Sequence, residues 1–245
     1  MSSHQKTALR TLERLFPGMG WRPLWMTLIS VLCLITYFHY GSLRSSPQWF
    51  VDASREFWGI EALRFHLHGW SHLSALVLLM IVPLMLCRLA GIRALDLGLS
   101  VKAAKREFRL VLGMWAVFVP VIWLVSETEA FTRVYPRLSG AESDIGLFVA
   151  YESFYLVKWV AWEFFFRGFM LFGFKKDFGN RAVLISTIPF VLMHFGKPQA
   201  EVYASLAAGF ILCWIALRSR SIWPGVLLHW LVATSLDFFS ADWWR

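Results

Sequence analysis

Several stretches of this chain run for about 15 to 20 residues with almost no charged side chain, roughly the length that crosses the hydrocarbon core of a bilayer as an α-helix. With them, the candidate spans are 24–40, 71–89, 110–126, 145–172, 182–194, 202–217 and 222–239. A soluble domain of 245 residues would need polar faces on its helices, yet 58% of this one is hydrophobic and only 16% charged. Its mean hydropathy of +0.55 points the same way. Lipid is therefore the expected solvent, and an all-α, polytopic transmembrane bundle of about seven to eight helices the expected fold.

The charge distribution orients that bundle. A polar leader over 1–23 carries Lys6, Arg10, Arg14 and Arg22, and no small-x-small cleavage site follows it, so the first span reads as an uncleaved signal anchor. If the leader is cytoplasmic, the inside loops hold Arg88, Arg93, Lys102, Lys105, Arg106 and Arg109, then Lys175, Lys176 and Arg181, then Arg218 and Arg220. The outside loops are poorer in Lys and Arg, and theirs often lie beside acids such as Asp52, Glu56 and Glu129. That alternation supports seven crossings of a cell (inner) membrane with the N-terminus inside. The net charge of +8 is thus spent on topology, and no nucleic-acid partner is expected, because the basic residues do not cluster on one polar surface. After the leader, 24–144 forms N-terminal helices with an interfacial segment, 145–240 a C-terminal helical core and 241–245 a tail. The basic, amphipathic run 95–111 suits a helix resting on the membrane surface or, equally, an ordinary basic loop. Tryptophans such as Trp21, Trp49, Trp70 and Trp243 fall near span ends, as an interfacial belt requires. Cys33, Cys87 and Cys213 sit singly in apolar runs and carry no metal or redox spacing.

Ionisable residues inside lipid are costly and mark function. Glu152, Lys158, Glu163, Arg167, His194 and His229 are those to explain. Glu163 and Arg167 are four apart and share a helix face, where the guanidinium can fix the carboxylate. Glu152, eleven residues earlier, returns to nearly that face. His194 ends an apolar run before Gly196 and Pro198, so its imidazole is left at a helix break. At about 1.5 Å per residue, Glu163 lies about 16–18 Å from the Lys175 end, His194 about 20 Å from Arg181 and His229 about 12 Å from Ser221. The three can therefore meet at one depth. The spacing of His66, His68 and His72 is ligand-like, but an aromatic juxtamembrane segment accounts for it.

Three ordered motifs carry a resemblance. They are Trp162-Glu163-Phe164-Phe165-Phe166-Arg167-Gly168, Phe190-x-x-x-His194, and Ser221-Ile222-Trp223-Pro224-Gly225-Val226-Leu227-Leu228-His229. Together they resemble the CAAX-protease/bacteriocin-processing family of intramembrane proteases, also described as type II CAAX prenyl endopeptidase-like or abortive-infection-like. Asp96-Leu97-Gly98-Leu99 is similar to a short upstream element of that family. The resemblance implies a glutamic-type endopeptidase acting on a membrane-associated protein or peptide. It implies that Glu163 and His194 poise a water, Arg167 orients Glu163 and His229 stabilises the oxyanion. It implies no cofactor, although one glutamate with two histidines can also hold zinc with an open position. The chain departs from the family in two places. Trp162 stands where an adjacent glutamate is usual, and Ala233 where an asparagine is common. Glu201, just past the break after His194, is a candidate replacement acid, and the tryptophan variant resembles a branch that includes myxosortase-type sorting proteases. The alternative is a non-catalytic scaffold or immunity-type binding protein of the same fold.

Overall fold

The computed structural model describes residues 20–104 and 107–241, apart from the side chains of Glu61 and Ala103, and every described element is helical. The leader through residue 19, Lys105, Arg106 and the tail from Asp242, with Trp243, lie outside the described residues. The first rod is α1 (Trp21–Thr36), prolonged by a wide π turn to Gly41. The second is α2 (Gln48–Ala75), a π turn over Leu76–Ile81, and α3 (Val82–Leu89). Short α4 (Val101–Ala104) precedes α5 (Phe108–Ser126), and α6 (Glu129–Thr132) opens the loop that leads to α7 (Ile145–Glu163). A π segment over Phe164–Phe172 continues α7 into α8 (Gly173–Phe178). The last three helices are α9 (Ala182–Leu192), α10 (Gln199–Ser219) and α11 (Trp223–Phe239).

Four of these rods are long and apolar enough to cross a membrane by themselves: Trp21–Gly41, Ala62–Leu89, Phe108–Ser126 and Gln199–Ser219. The other three expected spans differ for physical reasons. The α7 rod carries two acids and two bases within its length, α9 has only 11 residues, and α11 has 17. The rods sort by what surrounds them. Only 11% of the apolar window of α5 is buried, so most of its side chains face out from the bundle. From Ala161 to Leu171, by contrast, every residue is buried, and Phe164, Phe165, Phe166 and Phe169 are sealed completely. A helix that is apolar all round belongs in the centre of a bundle. It is enclosed by α2, α9 and α11, with α10 packed outside α9. All three cysteines are buried.

The run 95–111 does not form one surface helix. A 3-10 turn over Ala94–Leu97 ends at Gly98, whose φ of +78° is left-handed, and α4 starts afresh. Gly98 accepts a hydrogen bond at its carbonyl from the Ile222 amide at 2.9 Å, and Trp223 donates to Leu99 O at 3.2 Å. The Asp96–Leu99 element therefore clamps the start of α11. A Cβ at Gly98 would run into Phe172 and Ile222, whereas Gly91, with a similar φ of +77°, has open space. Gly98→Ala is thus expected to lower stability by about 2 kcal/mol or more, from left-handed strain plus overpacking, and Gly91→Ala by about 1. Chemical unfolding in detergent micelles separates the two, and equal losses would contradict the clamp.

Candidate active site

The centre of the bundle holds a carboxylate that water does not reach. Glu163 is the last residue of α7 proper, and the π segment starting at Phe164 widens the next turn, a distortion often found at functional sites. The Ser186 hydroxyl of α9 donates to Phe166 O at 2.8 Å and steadies that turn. Glu163 Oε1 accepts two hydrogen bonds, from Arg167 Nη1 at 3.1 Å and from His229 Nδ1 at 2.7 Å. Both Glu163 and Arg167 are completely buried. The guanidinium lies over the Phe190 ring, 4.1 Å from its centroid. Its remaining Nη2 and Nε, and Glu163 Oε2, are sealed without a hydrogen-bond partner.

Small residues admit this cluster. The Cα of Gly225 passes so close that a Cβ there would stand 3.1 Å from Glu163 Oε2. Pro224 opens α11 and fixes its first turn, and His229 follows on the face turned to Glu163. The imidazole of His229 also lies against Trp159, with ring centroids 3.9 Å apart.

His194 sits in the turn just past α9, at the helix break expected from Gly196 and Pro198. Its Nδ1 hydrogen-bonds Phe190 O at 2.8 Å, and its ring is nearly parallel to that of His229, at 13° and 6.4 Å between centroids. With both Nδ1 atoms engaged, Nε2 is the nitrogen that each histidine can offer.

Four expected residues, Glu163, Arg167, His194 and His229, thus come together. Their pairing differs from the expectation, since Glu163 bonds His229 directly. Glu201 stands apart from the cluster: Tyr135 donates to it at 2.7 Å and Lys197 pairs with it at 2.5 Å. Burial and then the charge of Glu201 push the Tyr135 phenol well above its ordinary value, so that it stays protonated and donates. Trp162 is buried, edge-on to Tyr37 and packed against Phe166.

Sequence reasoning missed Asp237. It lies two turns beyond His229 on α11 and accepts from the Arg137 amide. Glu152 accepts from Thr234 Oγ1 at 2.5 Å, and Trp230 Nε1 donates to its carbonyl at 3.0 Å. An aspartate near the end of an apolar helix was the available signal. His68 and His72 were expected at the membrane surface but are buried inside, where Tyr151 contacts His68 at 3.2 Å and Tyr155 stacks on His72. Their apolar face looks inward because α2 packs on α7. Among the described residues, no group of three or more His, Cys, Asp or Glu side chains is arranged to hold a metal ion.

Apolar rods around a buried glutamate and arginine, with two histidines beside them, describe a multi-pass helical membrane protein. Residues 145–235 match the family model described as "Type II CAAX prenyl endopeptidase Rce1-like", a protease family. The match covers all four clustered residues and agrees with the resemblance read from the three motifs. No curated protein and no solved structure matches the chain.

Proposed function

We propose that this chain is an intramembrane endopeptidase that hydrolyses a peptide bond of a membrane-associated substrate with a water activated by Glu163 and its histidines. The observation that carries the reading is the 2.7 Å bond from His229 Nδ1 to the buried Glu163, with His194 stacked alongside. A carboxylate on Nδ1 fixes the tautomer, leaves a lone pair on Nε2 and favours the imidazolium once formed. A water between the two rings can then give a proton to His229 Nε2 as its oxygen attacks the scissile carbonyl carbon. The same proton passes to the leaving nitrogen as the C–N bond breaks. The His194 ring orients the water, and Arg167 keeps Glu163 ionised and aligned. In this arrangement His229 is the base and Glu163 its orienting partner, a different division of labour from the one the family resemblance implies.

An apolar groove of about 270 Å³ runs beside the centre between α7 and α11, lined by Leu156, Val160, Val226, Leu227 and Trp230 among others. It supports a substrate arriving laterally from lipid. The Lys and Arg bias supports a cytoplasmic N-terminus in a cell (inner) membrane.

The test is cleavage of membrane-anchored reporter peptides by the purified chain in proteoliposomes. His194→Gln and His229→Gln are each expected to lower the rate by about 10²- to 10⁴-fold, the usual span of a lost general acid or base. Glu201→Gln is expected to change it by less than about tenfold, because its carboxylate serves Lys197 and Tyr135. Undiminished cleavage by both histidine variants would contradict the proposal, and full dependence on Glu201 would restore it as the missing acid.

A further inference from the structure

The end of the bundle where the first rod stops carries a polar cavity of about 520 Å³ that the proposed chemistry does not use. Three arginines from three places in the chain line it: Arg64 of α2, Arg133 just past α6, and Arg137 of the loop leading to α7. Glu142 is the one acid among the lining residues, and its Oε2 accepts the Gly140 amide at 2.7 Å. Arg133 pairs with Glu129 on the exposed side, a contact worth little. Arg64 and Arg137 form no ion pair among the described residues. An arginine does not shed its charge, so the cavity wall carries a positive excess.

The wall is also held in place. The Arg137 amide donates to Asp237, and its carbonyl accepts from His68 Nε2 at 3.1 Å. Both partners are buried side chains, one on α11 and one on α2, so the backbone of Arg137 is pinned from two helices. Asp237 is engaged with that amide, and the guanidinium is left to line the cavity. Arg64 donates to the hydroxyl of Ser139, two residues beyond Arg137, which draws the second guanidinium over the same loop. Ser240, directly after α11, lines the cavity as well. It is only 8% exposed, and its hydroxyl has no hydrogen-bond partner among the described residues. A buried hydroxyl without a partner costs free energy that an anionic acceptor in the cavity would recover.

Depth selects the ligand. Trp70 donates to Tyr40 O at 2.7 Å, beside the last residue of the first rod, which sets Trp70 at the level where that span ends. From Trp70 to Leu89 the second rod measures about 29 Å, one hydrocarbon thickness. Arg64 is six residues before Trp70 on the same helix, about 9 Å farther out. Headgroups fill about 5–8 Å beyond the hydrocarbon on each side, and a long arginine side chain spans the remainder. A volume in the range of about 300–1,000 Å³ typical of small-molecule sites admits a phosphate together with the group it is attached to. Guanidinium forks match phosphate oxygens in bidentate, charge-assisted hydrogen bonds.

We propose that this cavity binds the phosphate of an anionic phospholipid headgroup, with Arg64 and Arg137 as its charged donors and the Ser139 and Ser240 hydroxyls as neutral ones. Such a lipid ties the loop between α6 and α7 to the leaflet, whether or not the chain cleaves peptides.

The full chain in neutral detergent micelles is titrated with dioctanoyl phosphatidylglycerol or dioctanoyl phosphatidylcholine, and bound lipid is counted by native mass spectrometry. Inorganic phosphate at millimolar concentration serves as competitor. Phosphatidylglycerol is expected to bind about tenfold or more tighter than phosphatidylcholine, and Arg64→Gln and Arg137→Gln are each expected to weaken it about tenfold. Arg64 is exposed, so its variant keeps the fold, and Arg137→Gln retains the backbone bonds to His68 and Asp237. The double variant Arg44→Gln, Arg55→Gln removes two exposed arginines outside the cavity and should change the affinity by less than about twofold. Equal binding of the two lipids overturns the site, as does an equal loss from the control pair, which would reduce the effect to general surface charge. Displacement of phosphatidylglycerol by phosphate at matching concentration would make the occupant a soluble anion and overturn the lipid assignment.

Discussion

Glu163→Gln is expected to lower the cleavage rate by about three powers of ten while leaving substrate affinity nearly unchanged. Glutamine has the volume of glutamate and can still accept one hydrogen bond, so packing around the sealed side chain survives. It removes the negative charge that His229 faces at 2.7 Å. At a separation of about 4 Å between charge centres and an effective dielectric of about 20, that attraction is about 4 kcal/mol. If most of it is gained as the imidazolium forms, its loss corresponds to nearly 10³-fold in rate. Single-turnover kinetics in proteoliposomes read this directly. A fall confined to KM would mean that Glu163 only helps bind substrate.

Arg167→Met is expected to destabilise the bundle by about 3–5 kcal/mol, because it leaves Glu163 buried with its main counter-charge gone. It also removes the cation from the face of Phe190, a smaller loss of about 1 kcal/mol. The double variant Glu163→Gln, Arg167→Met is expected to recover most of that stability with no recovery of activity, since neither buried charge then lacks a partner. Reversible unfolding in mixed micelles gives both values. If the double variant proves no more stable than Arg167→Met alone, the stabilising role of Arg167 is packing and not neutralisation.

The helices were legible because lipid demands long uncharged segments, and the four clustered residues because each breaks that demand. Glu163 and Arg167 announced themselves by a spacing of four on one helix. The bond from Glu163 to His229 was not legible, since it joins residues 66 apart and depends on Gly225 letting α11 approach. The π segment after Glu163 has no sequence rule; Ser186 of a different helix helps hold it. Tyr135 and Lys197 come from loops, where position follows from packing and not from periodicity, so their contacts with Glu201 had no signal in the sequence. Between helix and loop the run 95–111 was left open, because its charge pattern is amphipathic while Gly98 breaks the helix to clamp α11. Trp162 read as a lost acid, and its ring instead forms one wall around Lys158.

The central claim is that a solvent water attacks the peptide bond at the Glu163–His229 pair. Cleavage of a membrane-anchored peptide by the purified chain, run in water enriched in heavy oxygen and read by mass spectrometry, tests it most directly. The account predicts one solvent oxygen in the new carboxyl terminus with the parent chain and no product above background with Glu163→Gln. Equal product from Glu163→Gln, or a new terminus carrying no solvent oxygen, would contradict it.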